Sequence, residues 1–383
     1  MKRDGRSARS LHLCRLAVPL VAAGMLSACH HSEAWEPMAT QKIYLSDRFY
    51  DLALLGPKEA LIAGYNGKLL SSKDGGASWA LVDTGTRNAL YSIDFASNNK
   101  TGWMVGQAAE ILKTTDGGKT WVEQGGHVYL SDDCRQSGGD PDATEESNKC
   151  PLAPLFAVSV IDENSAVAIG DRSTLARTTD GGKTWKTTTL KSPMAAGQDE
   201  NSMIAFEDPV LYDVLFLDAK TGFVVGEFGK IFKTTDGGDT WTEKEGTLVG
   251  GDYFDIQELP TFFDIDFHGT SEGIAVGLDG RIARSKDGGE TWQWTPNNVE
   301  AYDAPFYSAD ILPNGSVWVV GASGQVVSAA AGAELGQGTF GTQVTNWIRD
   351  IEFYDDQNGW AIGGFGFIMT TSDGGKTWFR RIG

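Results

Sequence analysis

Leu211-Tyr-Asp-Val-Leu-Phe-Leu217, Gly222-Phe-Val-Val-Gly226 and Lys233-Thr-Thr-Asp-Gly-Gly-Asp-Thr-Trp241 are pieces of one repeat, and its recurrence decides the fold. The last piece carries a box, Ser/Thr-x-Asp-Gly-Gly-x-Ser/Thr-Trp. It returns at Ser72–Trp79, Thr114–Trp121, Thr178–Trp185, Thr234–Trp241, Ser285–Trp292 and Thr371–Trp378. Its aspartates (Asp74, Asp116, Asp180, Asp236, Asp287 and Asp373) are 42, 64, 56, 51 and 86 residues apart. The last gap is about double the basic period. A second marker fills it: an apolar strand ends in glycine at Gly64, Gly106, Gly170, Gly226, Gly277, Gly321 and Gly363. Val317-Trp-Val-Val-Gly321 therefore belongs to a repeat whose box is eroded around Ser328–Gly332. There are seven repeats.

Each repeat reads as four short strands, rich in β-branched and aromatic residues and punctuated by Gly or Asp-Gly turns. In the fourth they are expected at 211–217, 222–226, 230–234 and 240–244. One such sheet cannot bury both faces, so repeats of this length stack radially. The expected fold is all-β, a seven-bladed propeller of four-stranded antiparallel blades. The box has a mechanical reading: its aspartate accepts backbone N–H groups across the turn, and its glycines supply positive φ. Trp79, Trp121, Trp185, Trp241, Trp292 and Trp378 are expected to open strand four and pack between blades. That places the boxes on the face opposite the usual binding surface.

The chain starts with Lys2, Arg3, Arg6, Arg9 and Arg15, then an apolar run from Leu16 to Leu26 that is too short to span a bilayer. The run ends in Leu26-Ser-Ala-Cys29, which resembles a bacterial lipobox and implies lipidation of Cys29. The expected organisation is a signal peptide over 1–28, a tether over 29–44 and the propeller over 45–383. A lipid-anchored protein of the periplasm is expected, and His30 after the cysteine favours the outer membrane. Residues 1–28 hold five of the 32 basic and one of the 51 acidic residues, which leaves 27 against 50, a net charge of −23. Such a surface repels nucleic acid. Cys134 and Cys150 remain as a pair, and in an oxidising compartment they are expected to form a disulfide. A metal site there would need more ligands than the nearby His127, so no metal and no cofactor are expected.

The whole repeat resembles the photosystem II stability/assembly factor family, single seven-bladed propellers that carry lipoprotein signals in cyanobacteria. The box alone is similar to the Asp-box or BNR repeat of sialidases, xyloglucanases and sortilin-type receptors. The first resemblance spans residues 45 to 383. It implies a non-catalytic scaffold for a membrane protein complex, monomeric, with relatives in non-photosynthetic bacteria that are often encoded near exporters. The family's arginine-rich recognition surface is not matched, since the mature chain has ten arginines. Of these, Arg172, Arg281 and Arg349 are candidates for the binding face.

The alternative is a glycoside hydrolase, sialidase- or xyloglucanase-like. A sialidase needs a Phe/Tyr-Arg-Ile-Pro signature, which is absent. A xyloglucanase uses a cleft between two propellers. Two-carboxylate chemistry stays open because acids are plentiful, whereas four mature histidines without a nucleophile elbow argue against triads.

Strand one supplies the candidate site. It opens with an aromatic and a small or acidic residue: Tyr50-Asp51, Tyr91-Ser92, Phe156-Ala157, Tyr212-Asp213, Phe263-Asp264, Tyr307-Ser308, and in the seventh repeat Arg349-Asp350. Strand one is innermost in a propeller, so these residues ring the axis. Either the aspartates bond neighbouring backbone, or they form an aromatic-rimmed entrance that grips a peptide or ligand. Three inserts, at 127–154, 192–209 and 246–260, are expected over the same side. The first carries Asp132, Asp133, Asp140, Asp142, Glu145 and Glu146.

Overall fold

The computed structural model describes residues 42–124, 152–190, 208–244, 248, 259–295 and 304–382. Among them the strands form seven four-stranded antiparallel sheets, each in simple sequence order. The blades are 49–82, 90–123, 155–189, 211–243, 262–294, 306–337 and 348–380, numbered one to seven. Strand two is the buried spine of every blade; in blade four it is Gly222–Gly226, buried at all five positions. Strand four is shorter than its sequence indicates. In blade four it is Thr242–Glu243, because the box turn holds the chain through Trp241.

Each blade is a contiguous piece of chain, and packing between sheets closes the wheel. The described core falls into seven clusters, one at each junction of neighbouring blades. Six of them include the box tryptophan of one of their two blades, as Trp292 does between blades four and five. The exception lies between blades five and six, where Leu335 stands instead. Blade one meets blade seven through Phe49, Leu52, Trp360 and Ile362, joined by Ile43 ahead of the first blade. A bridge between Arg48 and Gly364 ties the same seam.

The box turns share one hydrogen-bond scheme. In blade four, Thr234 Oγ1 accepts the Gly238 N–H at 3.0 Å and donates to Asp236. The Asp236 carboxylate accepts the backbone N–H and the hydroxyl of Thr240 at 2.9 and 2.6 Å. Those bonds hold Asp236 at a pKa of about 2. Both box glycines have positive φ; at Gly118 a side chain would also meet Leu61 of the preceding blade at 2.3 Å. The boxes share a rim with the strand one–two turns, as Gly237 N–H to Lys220 O shows. The opposite rim carries the strand two–three turns and the start of strand one.

Cys29, His127, Cys134, Cys150 and nearly all of the three inserts lie outside the described residues.

Candidate functional site: the axial collar and its carboxylates

The aromatic residues that open strand one form a collar around the axis. Ring centroids lie 5.4 Å apart for Tyr50–Tyr91, 5.5 Å for Tyr91–Phe156 and 5.8 Å for Phe156–Tyr212. They continue at 5.0 Å for Tyr212–Phe263 and 5.7 Å for Phe263–Tyr307. Arg349 takes the seventh place, with its guanidinium over the Tyr307 ring at 5.8 Å and bonded to the Tyr307 carbonyl at 3.1 Å. Trp347 stacks beside Tyr50 at 6.4 Å. Burial raises the pKa of Tyr50, Tyr91 and Tyr212, so their hydroxyls stay protonated.

Behind the collar the carboxylates point into a channel of about 370 Å³. A β-bulge at the second residue of most first strands turns the third residue inward, as between Leu211 and Asp213. In six blades the inward group then accepts a backbone N–H of the next blade. Asp51 takes Ile93 at 2.7 Å, Asp213 takes Ile265 at 3.1 Å, Asp264 takes Ala309 at 2.7 Å and Asp350 takes Leu52 at 3.1 Å. Ser92 and Ser308 do the same with Val158 and Ile351. Blades three and four are joined by Ser159 Oγ and Phe216 N–H at 3.0 Å. Among the described residues every junction of the wheel carries such a clamp.

The aromatic–acid series names only one tier of these groups. Two residues on, Asp94, Asp266 and Asp310 clamp Val160, Ile311 and Phe353, and Glu352 faces the same channel. Their sequence signal is an acid two positions along an otherwise apolar strand, which period two puts on the same face. Burial, then mutual repulsion, pushes the pKa of Asp51, Asp264, Asp310 and Glu352 well up. Burial lifts Asp94 and Asp213 to about 6. Among the described residues no group of three or more His, Cys, Asp or Glu is arranged to hold a metal ion.

Of the three candidate arginines, Arg349 alone lines the mouth. Arg172 and Arg281 sit at strand two–three turns of blades three and five on the same rim. These turns also display apolar side chains: Tyr65 is 53 % exposed, Phe365 55 %, Leu278 38 % and Phe228 36 %. Phe228 and Phe365 occupy the left-handed region, at φ +56° and +59°, which costs a non-glycine residue about 1–2 kcal/mol.

The family model described as photosynthesis system II assembly factor YCF48 matches residues 27–131 and 194–258. The chain is similar to the photosystem II assembly factor propellers. It is 25 % identical over 308 residues to the photosystem II assembly lipoprotein Ycf48 of Picosynechococcus sp., covering 79 % of this chain and 77 % of that one. Two solved structures share its fold. YCF48 from Cyanidioschyzon merolae superimposes with a TM-score of 0.62 at 16 % identity, covering 87 % and 97 % of the two chains. YCF48 bound to D1 peptide gives 0.60 at 18 %, covering 87 % and 93 %. These relatives are named assembly factors and not enzymes; the chain is read as a non-enzyme with them, and the glycoside hydrolase alternative is set aside.

Proposed function

We propose that this propeller is a lipid-anchored docking platform that helps a membrane protein assemble, holding a peptide segment of its client on the collar face. The observation that carries this reading is the coincidence on one rim of the aromatic collar, Arg349 and the exposed Phe228, Phe365, Tyr65 and Leu278. Exposed apolar groups grouped on one face mark a binding surface more often than a solubility defect. The two phenylalanines are also held there at a conformational cost. A relative solved with a D1 peptide supports a peptide as the ligand, and relatives named lipoproteins support acylation of Cys29. The signal layout supports the periplasm, with an exporter complex as the client in a cell without photosystems.

The channel acids are read as structural clamps, since their oxygens are engaged by backbone N–H groups of the next blade. The test is capture of the full chain with detergent-solubilised membrane proteins of its own host. A client retained by the native chain and lost with Arg349→Glu plus Phe228→Ser supports the reading. Equal retention by both, or no membrane protein retained, overturns it.

A further inference from the structure

The rim opposite the collar holds one irregular junction. In blades two to four, a basic residue near the end of strand three reaches toward the box turn of the next blade. Lys113 Nζ donates to the Gly181 carbonyl at 2.8 Å. Arg177 pairs with the Asp239 carboxylate. Lys233 Nζ donates to the Gly288 carbonyl and to Glu290, both at 2.6 Å. Arg284 is the fourth of this series, in the same register opposite the residue after the box tryptophan.

Its acceptor is missing because blade six has no box. The register pairs Ser328 with Gly336, eight residues apart, where Arg284 and Gln293 are nine apart. The turn is therefore one residue shorter, and alanine stands at 329, 330, 331 and 333. The outcome is a cavity of about 550 Å³ between blades five and six, lined by Glu272, Arg284, Lys286, Trp294, Glu334 and Leu335 among others. Arg284 Nε and Nη2 are buried there without a hydrogen-bond partner among the described residues. A buried guanidinium with unmatched donors is expensive to keep, and burial lowers the Arg284 pKa against the opposing pull of Glu272.

We propose that this cavity is a binding site for a single carboxylate, which seats on Arg284 and supplies the acceptor that blade six lacks. A planar, two-pronged guanidinium matches a carboxylate, and two neighbouring junctions solve the same problem with Asp239 and Glu290. Glu272 and Glu334 at the wall, and the chain's acidic balance, repel polyanions. The volume lies within the range of about 300–1,000 Å³ usual for small-ligand pockets. The carboxylate can come from an acidic side chain on a polypeptide or from a free small acid. This site lies on the opposite rim from the collar, so it stands or falls independently of client docking there.

The experiment is calorimetric titration of the full chain with a capped Ala-Ala-Glu-Ala-Ala peptide, its Gln twin, glutarate and inorganic phosphate. The Glu peptide or glutarate binds, the Gln twin binds at least about tenfold more weakly, and Arg284→Gln loses the same factor. Binding that is tighter for the peptide identifies a polypeptide ligand; binding that is tighter for glutarate identifies a small acid. Equal binding of the Glu and Gln peptides, preference for phosphate, an unaffected Arg284→Gln, or no heat with any probe at millimolar concentration overturns the proposal. The Glu/Gln comparison is made on the unaltered chain and does not depend on a variant that folds.

Discussion

Asp350 in the last blade accepts the backbone N–H of Leu52 in the first, at 3.1 Å and across 298 residues of chain. No strand is exchanged between these blades, so this bond, the Arg48–Gly364 bridge and the apolar seam close the wheel. The same carboxylate also receives the Ser308 hydroxyl at 3.0 Å, which links three blades through one side chain.

Asp350→Ala leaves the Leu52 N–H to Asp51 alone and the Ser308 hydroxyl without this acceptor, a loss of about 1–3 kcal/mol. Asp350→Asn keeps an acceptor oxygen and removes a charge from a crowded channel. Its stability at pH 8 is expected to equal or exceed that of the parent chain. Urea denaturation of the two variants separates these effects. A parent-like Asp350→Ala would show that the closing bond contributes nothing.

The channel also fixes a pH dependence. Asp94 and Asp213 titrate near 6 in the folded protein, above the ordinary aspartate value of about 3.9. Between those values the folded state holds more protons than the unfolded one, so stability falls as pH rises. Their contribution is complete below about pH 4 and is lost on passing 6. A shift of about two units corresponds to roughly 3 kcal/mol per group as an upper bound. The box aspartates act in the opposite sense: their depressed pKa, about 2 in Asp116 and Asp236, weakens the fold as pH falls from 4 to 2. Thermal melts should therefore peak near pH 4–5, and Asp94→Asn plus Asp213→Asn should flatten the alkaline limb. A parent melting temperature that rises from pH 5 to 8 would contradict the channel chemistry.

The repeat was legible because its markers are local. Asp74-Gly-Gly and Trp79 are fixed by their own turn, and the terminal glycine of strand two by the close approach of strand one; a side chain at Gly106 would meet the Ala89 carbonyl at 2.0 Å. The collar positions could be read as well, since Tyr50, Tyr91 and Tyr212 recur at one place in the repeat. What pairs with what could not. The Asp51–Ile93 and Asp213–Ile265 clamps join different repeats through a bulge, and no pattern within one repeat encodes that partner. Arg284 was hidden for a related reason: its distinction is an acceptor absent from the neighbouring blade.

The box hydroxyls make a graded test of the rim. Thr178 is buried, accepts the Gly182 N–H at 2.9 Å and donates to Asp180 at 3.0 Å. Thr178→Ala strands that N–H and is expected to cost about 1–3 kcal/mol. Ala329→Thr in blade six should give no comparable gain, because its shorter turn has no aspartate to receive the hydroxyl. Chemical denaturation of both variants decides the matter; a matching gain from Ala329→Thr would mean that the hydroxyl acts without the rest of the box.

The exposed phenylalanines separate stability from docking. Phe228 and Phe365 sit at the tips of their turns with positive φ, a conformation that glycine adopts without strain. Replacing either with glycine removes about 1 kcal/mol of backbone strain. It also gives up the partial burial of each ring, which is 36 % exposed at Phe228 and 55 % exposed at Phe365. The strain relieved and the burial lost are of similar size, so Phe228→Gly plus Phe365→Gly should melt near the parent temperature. If the collar face holds the client, the same variant should retain at least about tenfold less of it, since each buried aromatic anchor carries 1–2 kcal/mol or more. Capture lost at nearly unchanged stability is the signature of residues kept for binding. A variant that melts lower and still captures its client would instead assign the two rings to the fold.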